Sequence, residues 1–166
     1  MPKCKHELIC TECKKKKTVL RACSCQRKPK VKGSGGFRYY RDKLDNIFSK
    51  YIRLTHSTDQ GACTCVTCGK PYMWNRLDNG HFIGREWLSD RWNEKNCRPQ
   101  CKGCNNWGQG EGAKFKKYLI GEYGVEYVDY RVGMKNKKRP SVFTLQCMID
   151  DYTKKVADLK REKGIE

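Results

Sequence analysis

The sequence predicts a small α+β protein whose apolar core is too thin to stabilise the fold alone. Its 166 residues are 37% hydrophobic when 12 cysteines are included. Without the cysteines the share is roughly 30%, below the ~45–50% of ordinary globular domains. A chain of this length forms one modest domain or two very small ones. We therefore expect the cysteines to supply the missing stability.

The charge of the chain points to a polyanionic partner. Lys and Arg number 36 against 18 Asp and Glu, a formal net charge of +18, and nucleic acid is the natural ligand for such a surface. No run approaches the ~18 apolar residues that a membrane span requires, and the first residues lack the apolar segment of a secretory signal. We expect a cytoplasmic protein without membrane contact, where CxxC pairs bind metal more often than they form disulfides.

Residues 1–35 are basic and rich in cysteine, and they predict an N-terminal zinc site followed by a linker. The pairs Cys10-x2-Cys13 and Cys23-x-Cys25 could close one tetrahedral site, with Cys4 and His6 as competing ligands. The alternative is a disordered basic arm with free thiols. Residues 1–43 carry 14 Lys and Arg against three acidic residues, so this arm is expected to contact DNA phosphates, through side chains that include Lys14, Lys15, Lys16 and Lys17.

Residues 36–60 predict an amphipathic helix that packs on the core. Large apolar side chains recur at spacings of three and four, which is the helical period: Phe37, Tyr40, Leu44, Ile47, Phe48, Tyr51 and Leu54. The helix should span about 37–54 and end before Thr58–Gly61.

The C-terminal part predicts two more helices. One covers about 112–123 and closes the central segment, 61–125. A short segment with Val125 and Val128 follows. Residues 126–166 are then expected to form a basic loop, at Gly133–Pro140, and a final helix over about 142–162. The apolar stripe of the final helix either seals the core or pairs with a second copy in a homodimer, and core packing is favoured.

Two CxxC pairs in the central segment give the strongest signal in the sequence. Cys65-x2-Cys68 and Cys101-x2-Cys104 are separated by 32 residues, and two such turns complete a closed, structural zinc tetrahedron. Metal binding in small zinc domains is worth about 10–16 kcal/mol, enough to offset a thin core. The cysteines outside this pattern are expected to be small buried residues: Cys63, Cys97 and Cys147.

Between the two pairs lie the residues that favour an enzyme over a binding module. His81 is the one histidine in residues 57–166, and a neutral imidazole is the usual base for water near pH 7. Phosphodiester hydrolysis also needs a divalent cation. Asp78 and the amide of Asn105 offer the oxygen ligands that Mg²⁺ or Mn²⁺ prefers. The alternative is that His81 packs in the core and the asparagines form turns.

These residues carry a resemblance to a known family. The runs Cys63–Lys70, Gly80–Arg85, Arg91–Asn96 and Pro99–Asn105 resemble the bacteriophage NinG/Rap recombination endonucleases, a branch of the zinc-stabilised HNH (ββα-metal) nucleases. The preceding helix and the segment from Phe115 to Gly124 are also similar, so the resemblance covers about residues 37–125.

The resemblance implies roles for three residues. His81 would be the general base, Asn96 would hold the loop that orients it, and Asn105 would bind the catalytic metal. Many HNH proteins place an acidic ligand directly before the base, where this chain has Gly80. Asp78 can take that role only if Asn79-Gly80 bends the strand, because residues three apart on a straight strand point to opposite faces; Glu111 is a weaker candidate.

The function implied is cleavage of branched recombination DNA, such as Holliday junctions or D-loops, with phage recombination proteins as potential partners. Arg85 and Arg91 are the nearest candidates to clamp phosphates, since a guanidinium donates two parallel hydrogen bonds. Two alternatives stay open. The chain could be a non-catalytic zinc-stabilised DNA-binding adaptor, or a sequence-specific HNH homing or restriction nuclease, although no dedicated base-contacting helix is evident.

Overall fold

A computed structural model describes residues 35–165 as four helices and four short strands. In chain order they are α1 (Phe37–Thr55), β1 (Ala62–Thr64), β2 (Pro71–Met73), β3 (Asp78–His81), β4 (Cys97–Gln100), α2 (Gly112–Tyr123), α3 (Val125–Met134) and α4 (Val142–Glu162). The α+β class is confirmed. The proposed N-terminal zinc ligands and lysines lie outside the described residues: Cys4, His6, Cys10, Cys13, Cys23, Cys25, Lys14, Lys15, Lys16 and Lys17.

Helices α1 and α4 form the apolar frame of the molecule. The stripe predicted on α1 is buried, with Leu44 and Phe48 at most 1% exposed. It packs against Leu145, Ile149 and Tyr152 of α4, and each such side chain contributes about 1.5–3 kcal/mol by leaving water. The apolar face of α4 thus packs on α1 within the chain, as the favoured prediction of core packing stated. A homodimer stays a prediction.

Both ends of α4 follow helix-capping rules. The Ser141 hydroxyl accepts a hydrogen bond from the Thr144 amide at 3.0 Å, which satisfies one unpaired N–H of the first turn. Lys160 and Arg161 lie in the last turn, where a positive charge complements the helix dipole. These signals explain why the predicted bounds of this helix, 142–162, match the structure.

Two antiparallel hairpins lie between α1 and α2. Strand β1 pairs with β2, and β3 pairs with β4 in an unbroken register from Asp78↔Gln100 to His81↔Cys97. A β-strand alternates its side chains between two faces. Asp78 and Gly80 therefore share one face of β3, and Asn79 and His81 share the other.

Residues 125–134 form a helix, so the expected short segment there is wrong. Gly124, at φ 83°, ends α2 and begins α3, and such a left-handed position favours glycine. The β-branched and aromatic residues of α3 resemble a strand in composition. Helical packing prevails because Val128 packs on Phe115 and Leu119 of α2, while Lys116 pairs with Asp129 at 2.9 Å.

Within the described range, none of the helices combines the length and the apolar character needed to cross a membrane.

Candidate metal centre and active site

The four predicted zinc cysteines converge. The Sγ atoms of Cys65, Cys68, Cys101 and Cys104 all lie within 4.8 Å of one another, and those of Cys68 and Cys101 are 3.9 Å apart. Tetrahedral Zn–S bonds of about 2.3 Å place sulfurs about 3.8 Å apart. The cluster therefore has the ligand type, number and spacing to hold a zinc ion.

The local backbone explains how the first pair forms its half of the cluster. After Cys68 the chain reverses at Gly69, whose φ is +70°. The Gly69 amide donates to the Cys65 carbonyl at 2.9 Å, and the Cys65 amide donates to the Lys70 carbonyl at 2.9 Å. This tight turn directs both thiols of the pair to the same side.

The pKa values of two thiols in the cluster are shifted in opposite directions. Burial raises the pKa of Cys65, but hydrogen bonds from the Cys101 amide and the Thr67 hydroxyl outweigh it and lower the pKa to about 6. The Thr67 hydroxyl also favours ionisation of Cys104, yet burial and the neighbouring thiols raise the pKa of Cys104 to about 12. One thiolate forms readily and opposes the next, which is the charge problem that a bound Zn²⁺ solves.

The other three cysteines of the described residues differ in burial. Cys63 and Cys97 are buried, as predicted, and burial raises the pKa of Cys63 to about 11. Cys147 is exposed on α4, so its expected burial is wrong. Its position lies off the apolar stripe formed by Leu145, Ile149 and Tyr152, a detail that a single cysteine does not reveal.

Asn96 joins the strand that carries His81 to the loop that follows it. Its Oδ1 accepts from the Ile83 amide at 2.8 Å, and its Nδ2 donates to the carbonyls of Ile83 and Asp90, both at 3.0 Å. The side chain is 4% exposed. Asn96 thus ties together both ends of the loop from Ile83 to Asp90.

His81, at the end of β3, has both ring nitrogens in polar contact. Nε2 lies 2.9 Å from the Arg91 carbonyl, and Nδ1 lies 3.1 Å from the Asn79 carbonyl. Arg85 Nε also donates to Nδ1 at 3.4 Å. Burial, reinforced by the positive charge of Arg85, lowers the pKa of His81 to about 4, so the imidazole is neutral at physiological pH.

The two predicted phosphate clamps have different surroundings. Arg91 makes a two-pronged ion pair with Asp45 of α1, with Nε and Nη2 at 2.9 and 2.5 Å from the carboxylate oxygens. Its Nη1 donates to the Arg85 carbonyl at 2.7 Å. Arg91 therefore braces the loop whose carbonyl contacts His81, and its geometry does not favour the predicted phosphate contact. Arg85 is exposed beside His81.

Asp78 and Asn105 are brought together on the other side of β3. Asn105 Nδ2 donates to Asp78 Oδ2 at 3.3 Å. The backbone N–H of Asn105 donates to the Cys101 carbonyl at 2.9 Å, within the turn that carries Cys101 and Cys104. The strand shows no bend at Asn79-Gly80, so Asp78 and His81 lie on alternate faces. The weaker candidate, Glu111, pairs with Lys114 at 3.0 Å.

The surroundings of Gly80 explain why the position directly before His81 carries no acidic side chain. A β-carbon at position 80 would overlap the side chain of Gln100 on β4, which is fully buried. Gln100 is fixed there by hydrogen bonds from Nε2 to the Gly110 carbonyl at 2.8 Å and to Thr67 Oγ1 at 3.3 Å. Asp78, two residues earlier on the same face of β3, offers a carboxylate on that side.

Comparison with known proteins identifies the family of the chain. A family model described as Bacteriophage Lambda NinG protein matches residues 3–162, nearly the whole chain. The chain belongs to the NinG family. Protein ninG of Escherichia phage lambda is 28% identical over 103 residues, which are 60% of this chain and 49% of that protein. The chain thus spans about half the length of this curated relative. No solved structure matches this chain.

Two residues of this NinG-family site were missed at the sequence level. Asp45 holds both Arg91 and the indole of Trp92, whose Nε1 donates to it at 2.8 Å, and Gln100 excludes a side chain at position 80. Asp45 is one of two acidic residues on the predicted helix, and it lies 46 residues from Arg91. A contact over that distance has no local signal in a single sequence.

Proposed function

We propose that this NinG-family protein is a metal-dependent DNA endonuclease of the HNH (ββα-metal) type that cleaves branched recombination DNA. The observation that carries the proposal is His81, a neutral imidazole held in place on one face of β3 while Asp78 and Asn105 meet on the other face. A DNA-binding module has no need for either arrangement.

His81 has the protonation state of a general base. Each ring nitrogen faces a carbonyl, which can only accept, and the neutral ring has a single N–H to donate. We assign the proton to Nε2, because its contact to the Arg91 carbonyl at 2.9 Å is shorter than that of Nδ1 to the Asn79 carbonyl at 3.1 Å. Nδ1 then carries a lone pair, which accepts from Arg85 Nε, while Arg85 Nη2 donates to the Asn79 carbonyl at 3.4 Å. When Arg85 turns toward a phosphate, Nδ1 is free to accept a proton from water.

Asp78 and Asn105 fit a hard divalent cation such as Mg²⁺ or Mn²⁺. Rotation of the Asn105 side-chain amide by 180° places its oxygen beside the Asp78 carboxylate, which gives two oxygen ligands, one on β3 and one in the turn that carries the zinc cysteines. Such a cation, when bound, neutralises charge on the phosphate and on the leaving oxygen.

An in-line displacement needs the base and the metal ligands near one phosphate, because the attacking and leaving oxygens lie on opposite sides of a single phosphorus. His81 lines a cleft between β3 and α1, whereas Asp78 lines a separate, wider cleft together with Arg76 and Lys102. Asp78 and His81 can therefore act on one phosphate only if β3 bends at Asn79-Gly80 when DNA binds.

The DNA substrate is supported by charge, and its branched character by family membership. Phosphate binding follows from the net charge of +18 and from exposed Arg76, Arg85 and Lys102. Association with phage recombination proteins, or with a second copy that presents a second site to a symmetric junction, belongs to the same proposal.

A cleavage panel tests the proposal. Four-way junction, fork, D-loop and linear duplex are incubated with the purified protein, with and without Mg²⁺. We expect Mg²⁺-dependent cuts in the branched substrates and slow or no cleavage of the duplex. Asn105→Ala should lose cleavage, while its matched control Asn106→Ala, at the exposed next position, should retain it.

One observation favours a second candidate, a non-catalytic DNA-binding recombination adaptor. Arg85 Nε already donates to His81 Nδ1, so His81 could serve only as a hydrogen-bonding hub of the loop. Cleavage by the wild type, compared with Arg85→Ala, separates the two functions. An adaptor would bind junctions without cutting them in any variant, whereas a nuclease would lose cleavage because a phosphate ligand is gone.

A further inference from the structure

Trp107 stands apart from the other tryptophans in its surroundings. Trp74 and Trp87 are covered by cationic side chains, and Trp92 is buried and hydrogen-bonded to Asp45. Trp107 is 88% exposed, and across residues 35–165 its ring makes no hydrogen bond, ring stack or cation–π contact. An indole is among the largest apolar groups a protein has, and it is normally covered.

The backbone under Trp107 is fixed rather than free. Trp107 ends a π-helix, Gly103–Trp107, a rare element that recurs at functional sites. The Gly108 amide donates to the Gly103 carbonyl at 2.8 Å, and the Glu111 amide donates to the Gly108 carbonyl at 2.9 Å. Buried Gln100 holds the Gly110 carbonyl.

The same segment holds backbone strain. Gln109 and Glu111 have φ values of 50° and 49°, a left-handed backbone conformation that residues other than glycine rarely adopt. Strained residues persist where the surrounding contacts enforce them, and they concentrate at binding sites. The fold therefore enforces a conformation that holds an indole out into solvent.

The neighbours of Trp107 identify the chemistry of its ligand. Asn105, two residues earlier, contacts Asp78, and Cys104 is a zinc-cluster ligand. Lys102, before the segment, is exposed, and Lys114, after it, pairs with Glu111 at 3.0 Å, which cancels the charge of that carboxylate. An aromatic face beside a cation is the combination that binds nucleic acid, with stacking for the base and positive charge for the backbone.

We propose that Trp107 stacks on the base pair exposed at a DNA branch point and so gives the protein its preference for branched over linear DNA. Bases inside a duplex are already stacked on both faces, whereas the pairs that border a branch or an end can offer a free face. The inference rests on the proposed function for the DNA substrate, but it concerns binding and not the chemical step.

The test compares Trp107→Ala with Trp107→Phe and with Phe143→Ala, a matched control that removes a 73% exposed aromatic from α4. Affinity for a four-way junction and for a linear duplex of equal length, both with ends closed by hairpin loops so that only the branch offers a free face, is measured in Mg²⁺-free buffer, so no cleavage occurs. One base stacked on an aromatic ring is worth roughly 5- to 150-fold in affinity. We expect Trp107→Ala to weaken junction binding about tenfold and duplex binding less than twofold.

Trp107→Phe should restore most of the preference, and Phe143→Ala should leave it unchanged. A 2-aminopurine placed at the branch should be quenched by the wild type and less by Trp107→Ala. An unchanged junction-to-duplex ratio in Trp107→Ala, or a wild type without any preference, would overturn the inference.

Cleavage assays keep this outcome separate from the proposed function. A protein that never cuts, yet loses its junction preference in Trp107→Ala, would contradict the nuclease and support the stacking. A protein that cuts, with the same preference in both forms, would do the reverse.

Discussion

The helical frame (α1 and α4) and the cysteine region (β1–β4 with residues 101–111) are stabilised in different ways. The frame buries a continuous set of large apolar side chains. The core of the cysteine region consists of Leu77 and three cysteines, two of them from the zinc cluster. The part of the chain that carries the candidate chemistry thus has almost no apolar core of its own, and we expect its order to depend on a metal ion held by the four cysteines.

Loss of zinc is the largest effect expected from this difference. Cys101→Ser should release one zinc per chain and remove a large part of the roughly 10–16 kcal/mol that a structural zinc provides. The cysteine region should unfold, while α1 and α4 keep most of the helical circular dichroism at 222 nm. Metal content and hydrogen exchange measure the two regions separately.

Cys147→Ser, at an exposed site on α4, is the control and should keep both zinc and exchange protection. The comparison fails if Cys101→Ser retains the wild-type zinc content, or if the helical signal disappears together with the zinc.

A large-to-small change in the frame should act through packing. Phe48 is 1% exposed, and its ring lies 5.0 Å from that of Tyr152. Phe48→Ala should lower the free energy of unfolding by about 3–5 kcal/mol without loss of zinc. Phe143→Ala, at a 73% exposed position, should change it by less than about 0.5 kcal/mol. Urea unfolding gives both values, and a loss below about 1 kcal/mol for Phe48→Ala would show that the frame is not the main apolar core.

Acid should weaken the site region through His81. The pKa of His81 is lowered by burial to about 4 in the folded state, against an ordinary value of 6.5, so the unfolded chain binds the proton more tightly. Stability from this group is present above pH 6.5 and falls as the pH drops toward 4, by about 3 kcal/mol in total.

Loss of zinc in acid affects every variant, so the measurement is a difference. The free energy of unfolding of the wild type minus that of His81→Asn should fall by about 3 kcal/mol between pH 7 and pH 4. A difference that stays constant would mean that His81 is not desolvated in the folded protein.

The two regions also differ in how far their structure could be predicted. The frame follows from the helical period of its apolar residues, as the bounds of α1 and α4 show, because this period is a local signal. The zinc cluster follows from CxxC spacing. Helix α3 was missed because its Val and Tyr content resembles a strand, and only packing on Phe115 and Leu119 decides against it.

Within the site, residue types were predictable and pairings were not. His81, Asn96 and Asn105 stand out by chemistry and by family resemblance. The bond of Arg91 to Asp45 reverses the expectation of a free clamp, and the overlap of position 80 with Gln100 accounts for Gly80. Both depend on contacts between residues 20 or more apart in the chain, which a single sequence does not specify.

The most direct test of the central claim is single-turnover cleavage of a four-way junction by wild type and His81→Ala in Mg²⁺. Removal of a general base typically costs about 10²–10⁴-fold in rate. We therefore predict at least a hundredfold slower cleavage by His81→Ala, with junction affinity within threefold of wild type and unchanged zinc content. Cleavage by His81→Ala at the wild-type rate, or a wild type that binds junctions and never cuts them, would contradict the account.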